Sequence, residues 1–123
     1  MEKTEKYSWK KFETDVKKIV EWLAEEPYPL IKQFKTIYGI PKGGLPLAVK
    51  LANKFNLKLL MDEKDIDCET LVVDDIADTG NTLERFYHSG RVIITIFYHK
   101  QTKVMPHFFL REKKHKWILF PWE

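Results

Sequence analysis

The stretch LVVDDIADTGNT, residues 71–82, sets two adjacent aspartates, Asp74 and Asp75, directly behind an apolar run. Two like charges side by side repel, and burying them unpaired is expensive. They make sense where hydroxyl groups donate hydrogen bonds to them, or where a hard cation such as Mg²⁺ lies nearby. The residues that follow, Asp78, Thr79, Gly80, Asn81 and Thr82, lead into an expected helix. A helix start offers free backbone N–H groups and the positive end of the helix dipole. Gly80 lets the backbone come close to an anion, and Thr79 and Thr82 add hydroxyl donors. The pattern thus sets a reader of a diol or a metal beside a cradle for phosphate, and a sugar phosphate fits both halves. An ordinary helix cap at Asp78 or Thr79 would explain the loop but not the acidic pair. A P-loop requires GxxxxGK[ST], which the chain lacks.

These groups need elements to hold them. Trp9, Phe12, Val16, Ile19, Val20 and Leu23 fall at three- and four-residue steps, which predicts an amphipathic helix over 8–24 with Ser8 as its N-cap. Pro27 and Pro29 end it. Residues 34–40 (FKTIYGI) read as a first strand. Gly43 and Gly44 then open LPLAVKLANKF, a second helix with Pro46 in its first turn, where proline is tolerated. Short strands are expected at 57–61 and 69–73, and a helix at 79–88 closed by Gly90. Residues 92–98 (VIITIFY) suit a strand buried on both faces. Residues 105–110 are expected as an edge strand, and the charged run REKKHK as a solvated turn. Alternating strands and helices imply one domain, residues 1–123, of α/β class, with a mostly parallel sheet flanked by helices. In such sheets ligands bind beyond the carboxyl ends of the strands.

The chain has 123 residues, 44% hydrophobic and 32% charged, which suits a folded domain with a real core. A net charge of +3 is too mild to point to nucleic acid, though it suits an anionic ligand. No dense basic face with interleaved aromatics is evident either. The single cysteine, Cys68, cannot form an internal disulfide, so a reducing compartment is the simple reading, with the thiol buried or at an edge. No apolar run reaches the roughly 20 residues that cross a bilayer. The first residues, MEKTEKYSWKK, carry acids and lack an apolar stretch, so the expectation is a cytoplasmic protein without a signal peptide.

At this point the segment LVVDDIADTGNTL resembles the phosphoribosyl-pyrophosphate (PRPP) signature of the type I phosphoribosyltransferases. The resemblance implies that family's fold. It also implies that Asp74 and Asp75 bind the ribose hydroxyls and organise Mg²⁺, and that residues 78–82 hold the 5-phosphate. Asp78 matches the acid proposed as general base in the purine branch. Two more segments extend the likeness. YGIPKGGLPLA, residues 38–48, resembles the pyrophosphate loop, which assigns Pro41, Lys42, Gly43 and Gly44 to pyrophosphate. WILFPWE, residues 117–123, resembles the end of the xanthine-guanine branch, which implies that Trp117 stacks on the purine and Ile118 reads its edge. Ile76 and Lys100 complete the implied purine site.

The likeness breaks in two places. The family's long mobile lid would fall near 62–68, where too few residues separate two strands. The lysine expected just after the strand at 92–98 is replaced by His99, with Lys100 one residue further on. The implied activity is Mg²⁺-dependent phosphoribosyl transfer from PRPP to a 6-oxopurine, by a protein expected to be a homodimer. The competing expectation is a PRPP- or nucleotide-binding regulator of the same fold. Lys113, Lys114 and Lys116 are expected on a solvated face, as are all the histidines except His99.

Overall fold

The computed structural model describes residues 3–123. Its elements, in chain order, are β1 (Thr4–Lys6), α1 (Trp9–Leu23), β2 (Thr36–Gly39), α2 (Leu45–Phe55), β3 (Lys58–Leu60), β4 (Thr70–Ala77), α3 (Glu84–His88), β5 (Val92–Tyr98), β6 (Arg111–Glu112) and β7 (Trp117–Leu119). Five strands form one parallel sheet in the order β3-β2-β4-β5-β6. A second, two-stranded parallel sheet pairs β1 with β7. The expected α/β architecture with a parallel sheet flanked by helices is what the chain adopts.

The apolar side chains of α1 and α2 pack on one face of the large sheet. Phe12, Ile19 and Leu23 of α1 meet Leu47 and Leu51 of α2 and the buried strand residues Leu71, Val73 and Ile94. Leu83 and Phe86, at the start of and within α3, cover the other face with Val72, Ile93 and Val104. With apolar residues on both faces, β4 and β5 can carry the almost unbroken hydrophobic runs that parallel strands require. Ser8 caps α1 by accepting a hydrogen bond from Lys11 N at 3.1 Å. Pro46 sits in the first turn of α2, and Gly90 takes a positive φ just past α3.

Three expectations change. The fourth strand does not stop at Val73 but runs to Ala77, because its ladder with β5 continues through Asp74, Ile76 and Ala77. The acidic pair is therefore part of the strand. The helix expected from Thr79 begins only at Glu84, since Gly80 has φ +87° and breaks any helical path through the loop. Residues 105–110 form no strand beyond a single bridge between Ile94 and Phe108, and the edge strand is Arg111–Glu112. Pro106 has no N–H for a ladder. Beside it, His107 Nδ1 accepts from Ile93 N at 3.0 Å and its own N–H donates to Ile93 O at 2.8 Å. Cys68 is exposed, in the turn before β4. Among the described residues no helix is long and apolar enough to cross a membrane.

Candidate active site

The chain leaves β2 for α2 and β3 on one side of the sheet, then returns through β4 and proceeds to β5 on the other. Adjacent strands whose connections diverge in this way open a crevice at their carboxyl ends. The loop 40–44 after β2 and the segment 74–83 around the end of β4 both border it. They touch: a Cβ placed on Gly43 would overlap the Asp75 carboxylate. A Cβ on Gly44 would lie 2.5 Å from Val73 O. Both positions therefore require glycine, so that the loop can lie directly on the acidic end of β4. Pro41 and Lys42 stand exposed at its tip, joined by a cis peptide.

Asp74 and Asp75 are largely withdrawn from water, and no cation partners either of them among the described residues. Burial, and then the neighbouring Asp75 charge, push the Asp74 carboxyl up to about 8. Burial also raises Asp75. Asp74 Oδ1 accepts from Asp75 N at 2.8 Å. No group of three or more His, Cys, Asp or Glu side chains suited to a metal converges among the described residues. A pair of carboxylates suits Mg²⁺, which keeps several waters and shares its other positions with substrate oxygens.

A cavity of about 200 Å³ lies against this pair and is closed by Asp78, Thr79, Gly80 and Thr82. The side chains of Thr79, Asn81 and Thr82 are exposed. Gly80 lines this cavity and is also packed from behind. A Cβ there would fall 2.6 Å from Thr102 Oγ1 and 2.7 Å from Lys103 N, so the missing side chain makes room for the chain after β5. Lys103 N also donates to Thr79 O at 2.9 Å. The loop is thus held from behind, with its hydroxyls turned out.

A second cavity, about 140 Å³, shares Asp75, Ile76 and Asp78 with the first. Trp117 and Ile118 of β7 form its apolar wall, with Phe120 and Glu123 beyond. Trp117 is 60% exposed, so much of its ring is open to a ligand, while Ile118 is buried. Glu123 Oε1 accepts from Phe120 N at 2.8 Å and steadies the turn after β7. The structure thus brings Ile76, Trp117 and Ile118 together. Lys100 is exposed and lines a neighbouring cleft of about 570 Å³ instead, along with His99. His99 Nδ1 accepts from Gln101 N at 3.1 Å, which turns that ring nitrogen to the local backbone.

The lysine in the aromatic slot is Lys113, which the sequence places in a solvated run. Its side chain is only 15% exposed, its Nζ lies 3.1 Å from Asp78 Oδ2, and it sits 5.1 Å from the Trp117 ring centroid. Strand β6 explains this. Pairing with β5 ends at Tyr98↔Glu112, and Lys113 N donates to Tyr98 O at 2.7 Å, which carries the side chain over the end of β4. The alternation of Arg111 and Lys113 on one face of a strand was the available signal, hidden in a run of charges.

The link expected to replace the lid is compact. A 3₁₀ turn at Glu63–Asp65 is capped by Asp62, and Glu63 forms a two-point ion pair with Arg85 of α3, at 2.6 and 2.9 Å. Arg91 reaches Asp67 O from the other side.

No protein-family model matches the chain, and no curated protein matches it in sequence. Solved structures do match in shape. A purine phosphoribosyltransferase from Pyrococcus horikoshii superposes with a TM-score of 0.78 at 24% identity, over 98% of this chain and 94% of that one. The xanthine-guanine-hypoxanthine phosphoribosyltransferase of Helicobacter pylori gives 0.79 at 20% identity, over the same shares. A hypothetical protein from Neisseria gonorrhoeae with bound ppGpp gives 0.72 at 15% identity, over 100% and 90%. The chain has the fold of the type I phosphoribosyltransferases.

Proposed function

We propose that the protein transfers the phosphoribosyl group of PRPP to a 6-oxopurine, releasing pyrophosphate. The observation that carries this reading is the convergence at one crevice of the Asp74–Asp75 pair, the Gly43–Gly44 turn and the hydroxyl loop, with the Trp117 slot adjoining. Ribose hydroxyls would donate to Asp74 and Asp75, and Thr79 and Thr82 would donate to the 5-phosphate. Lys42, exposed at the tip of its turn, is free to meet the leaving pyrophosphate. Asp74 and Asp75 would hold Mg²⁺, which supplies charge neutralisation for the departing pyrophosphate. A purine nitrogen forms the new bond to the anomeric carbon as the bond to the pyrophosphate oxygen breaks. The proton on the base passes to the Asp78 carboxylate.

A second reading is a nucleotide-binding regulator without efficient transfer. The compact link at 61–69, pinned to α3 through Glu63 and Arg85, favours it, because it is too short to serve as a lid. The Neisseria protein of the same fold, solved with ppGpp, fits that reading as well. The experiment is pyrophosphate release from PRPP and Mg²⁺ with guanine, xanthine, hypoxanthine or adenine, beside Asp78→Asn. Transfer predicts release that needs a 6-oxopurine and falls at least about 100-fold in the variant. Nucleotide binding with no release for any base overturns transfer and leaves the regulator.

A further inference from the structure

The 140 Å³ cavity lies at a seam between the two sheets. The five-stranded sheet supplies Asp75 and Ile76 of β4 and Asp78 just past it, and the two-stranded sheet supplies Trp117 and Ile118 of β7. Among the described residues no strand ladder joins the two sheets. Aromatic packing fills the seam. The Tyr7 ring meets Phe97 of β5 edge-on with centroids 5.2 Å apart, and meets Phe120 and Trp122, past β7, at 5.7 and 6.3 Å. Such packing is strong but has little direction, so it does not by itself fix how far β7 stands from β4.

Direction comes from a buried group of three side chains. Tyr7 follows β1, and its N–H donates to Leu119 O at 3.0 Å, which fastens it to β7. Its hydroxyl donates to Asp15 Oδ2 at 2.6 Å. Arg111 of β6 grips the same carboxylate through two donors, at 2.7 and 3.1 Å, and pairs with Phe97 in the large sheet. Asp15 is fully buried and Tyr7 nearly so, and water cannot replace the bond between them. The chain of contacts thus runs from β7 through Tyr7, Asp15 and Arg111 to β6. We propose that Tyr7, Asp15 and Arg111 are positioning residues that fix the width of the seam, and with it the fit of a planar ring between Trp117 and the acidic end of β4. This rests on the proposed use of the slot for a base, although none of the three side chains except through this clamp reaches the site: they do not line the cavity. The hydroxyl loop is held separately, by Lys103 N on Thr79 O and by Arg85 on Thr82 O. Loosening the clamp therefore weakens the hold on a ring and spares the hold on a phosphate. A ring misplaced by about 1 Å can cost on the order of 100-fold.

The test separates ring from phosphate. Tyr7→Phe removes one hydroxyl and keeps the packed ring, and Arg111→Lys keeps the charge but loses the two-point grip. Ile19→Val, a trimmed core residue of α1, controls for a general loss of stability. Calorimetric titrations with GMP and with ribose 5-phosphate, which is GMP without its ring, are run on the wild type and each folded variant. Both clamp variants should bind GMP at least about ten-fold more weakly, and ribose 5-phosphate within about two-fold of the wild type. Ile19→Val should leave both unchanged. Unaltered GMP binding, an equal loss for the two ligands, or the same split in Ile19→Val overturns the assignment. Amide relaxation dispersion adds a readout that needs no ligand. Exchange on the microsecond-to-millisecond scale should appear in Tyr7→Phe at Lys113 and residues 117–119, and not at residues 79–82. Its absence from β7 overturns the clamp. Exchange there in a protein that binds neither ligand would uphold the clamp while defeating the proposed use of the slot.

Discussion

Two acidic centres withdrawn from water are built on opposite principles. Asp15 of α1 is fully buried, yet both its oxygens are satisfied. Tyr7 donates to Oδ2 at 2.6 Å, and Arg111 donates to Oδ2 at 2.7 Å and to Oδ1 at 3.1 Å. The cluster ties α1, the chain after β1 and strand β6 to one another. Burial and the Asp15 carboxylate raise the Tyr7 phenol well above its ordinary range, so it stays a donor at all moderate pH. Asp74 and Asp75, by contrast, have each other and no cation among the described residues. A carboxylate given its partners by the fold holds the fold together. A pair left without them is a site that a ligand must complete.

Removing the satisfied carboxylate is the harshest way to break this comparison. Asp15→Ala leaves the Tyr7 hydroxyl and the Arg111 guanidinium without their shared acceptor in a largely buried place. We expect a loss of about 3 kcal/mol, near the lower end for breaking such a pair because Arg111 keeps some solvent access. Urea denaturation measures it. A loss below about 1 kcal/mol would mean the cluster is ornamental to stability and the contrast is wrong.

The unpartnered pair should behave in the reverse sense. The folded-state value for Asp74, about 8, lies above its ordinary 3.8, so the native state binds a proton that the unfolded chain has released. Its contribution to stability is therefore complete below pH 4 and is lost as the pH rises through about 8. Asp75 is shifted in the same direction. Asp74→Asn removes the titration while keeping the shape. In the ligand-free protein the variant should match the wild type near pH 4 and exceed it at pH 9, by about 1–3 kcal/mol. Thermal melts across that range decide it, and a variant that is less stable at pH 9 would show that the pair already has its counter-charge.

How much of this could be read from the chain follows from the range of the forces involved. Helix α2 is Leu45–Phe55, the LPLAVKLANKF segment itself, because its proline, apolar spacing and following turn are all local signals. Strand β5 was visible for the same reason. The reach of β4 through Asp74 and Asp75 was not, since aspartate is a poor strand residue and only the ladder with β5 holds it there. The two glycine turns and the acidic pair were legible as chemistry, though not that Gly43 rests on Asp75. Lys113 and Asp15 escaped entirely. Each sits in a charged stretch that looks solvated, and each is defined by a partner 35 or 96 residues away, which no local pattern encodes.

Between these extremes lies an ion pair that tests whether burial is what sets the scale. Arg85 holds Glu63 at two points and also donates to Thr82 O at 3.3 Å, so it links the compact 61–69 segment to the hydroxyl loop. Its geometry is as good as that of Arg111 on Asp15, but both side chains are about half exposed, at 54% and 42%. Arg85 lowers the Glu63 carboxyl, so this contribution is present at neutral pH and fades on acidification, opposite in sign to that of Asp74. Water competes for both partners, and Arg85→Ala should cost no more than about 1 kcal/mol in thermal melts at pH 7. Under the proposed activity, the same variant should raise the KM for PRPP a few-fold, since Thr82 loses its tether while the acids and the Trp117 slot stay in place. A cost as large as that of Asp15→Ala would show that geometry alone sets the worth of these pairs. The small cost expected here, set beside the large one at Asp15, would show that exclusion of water sets it.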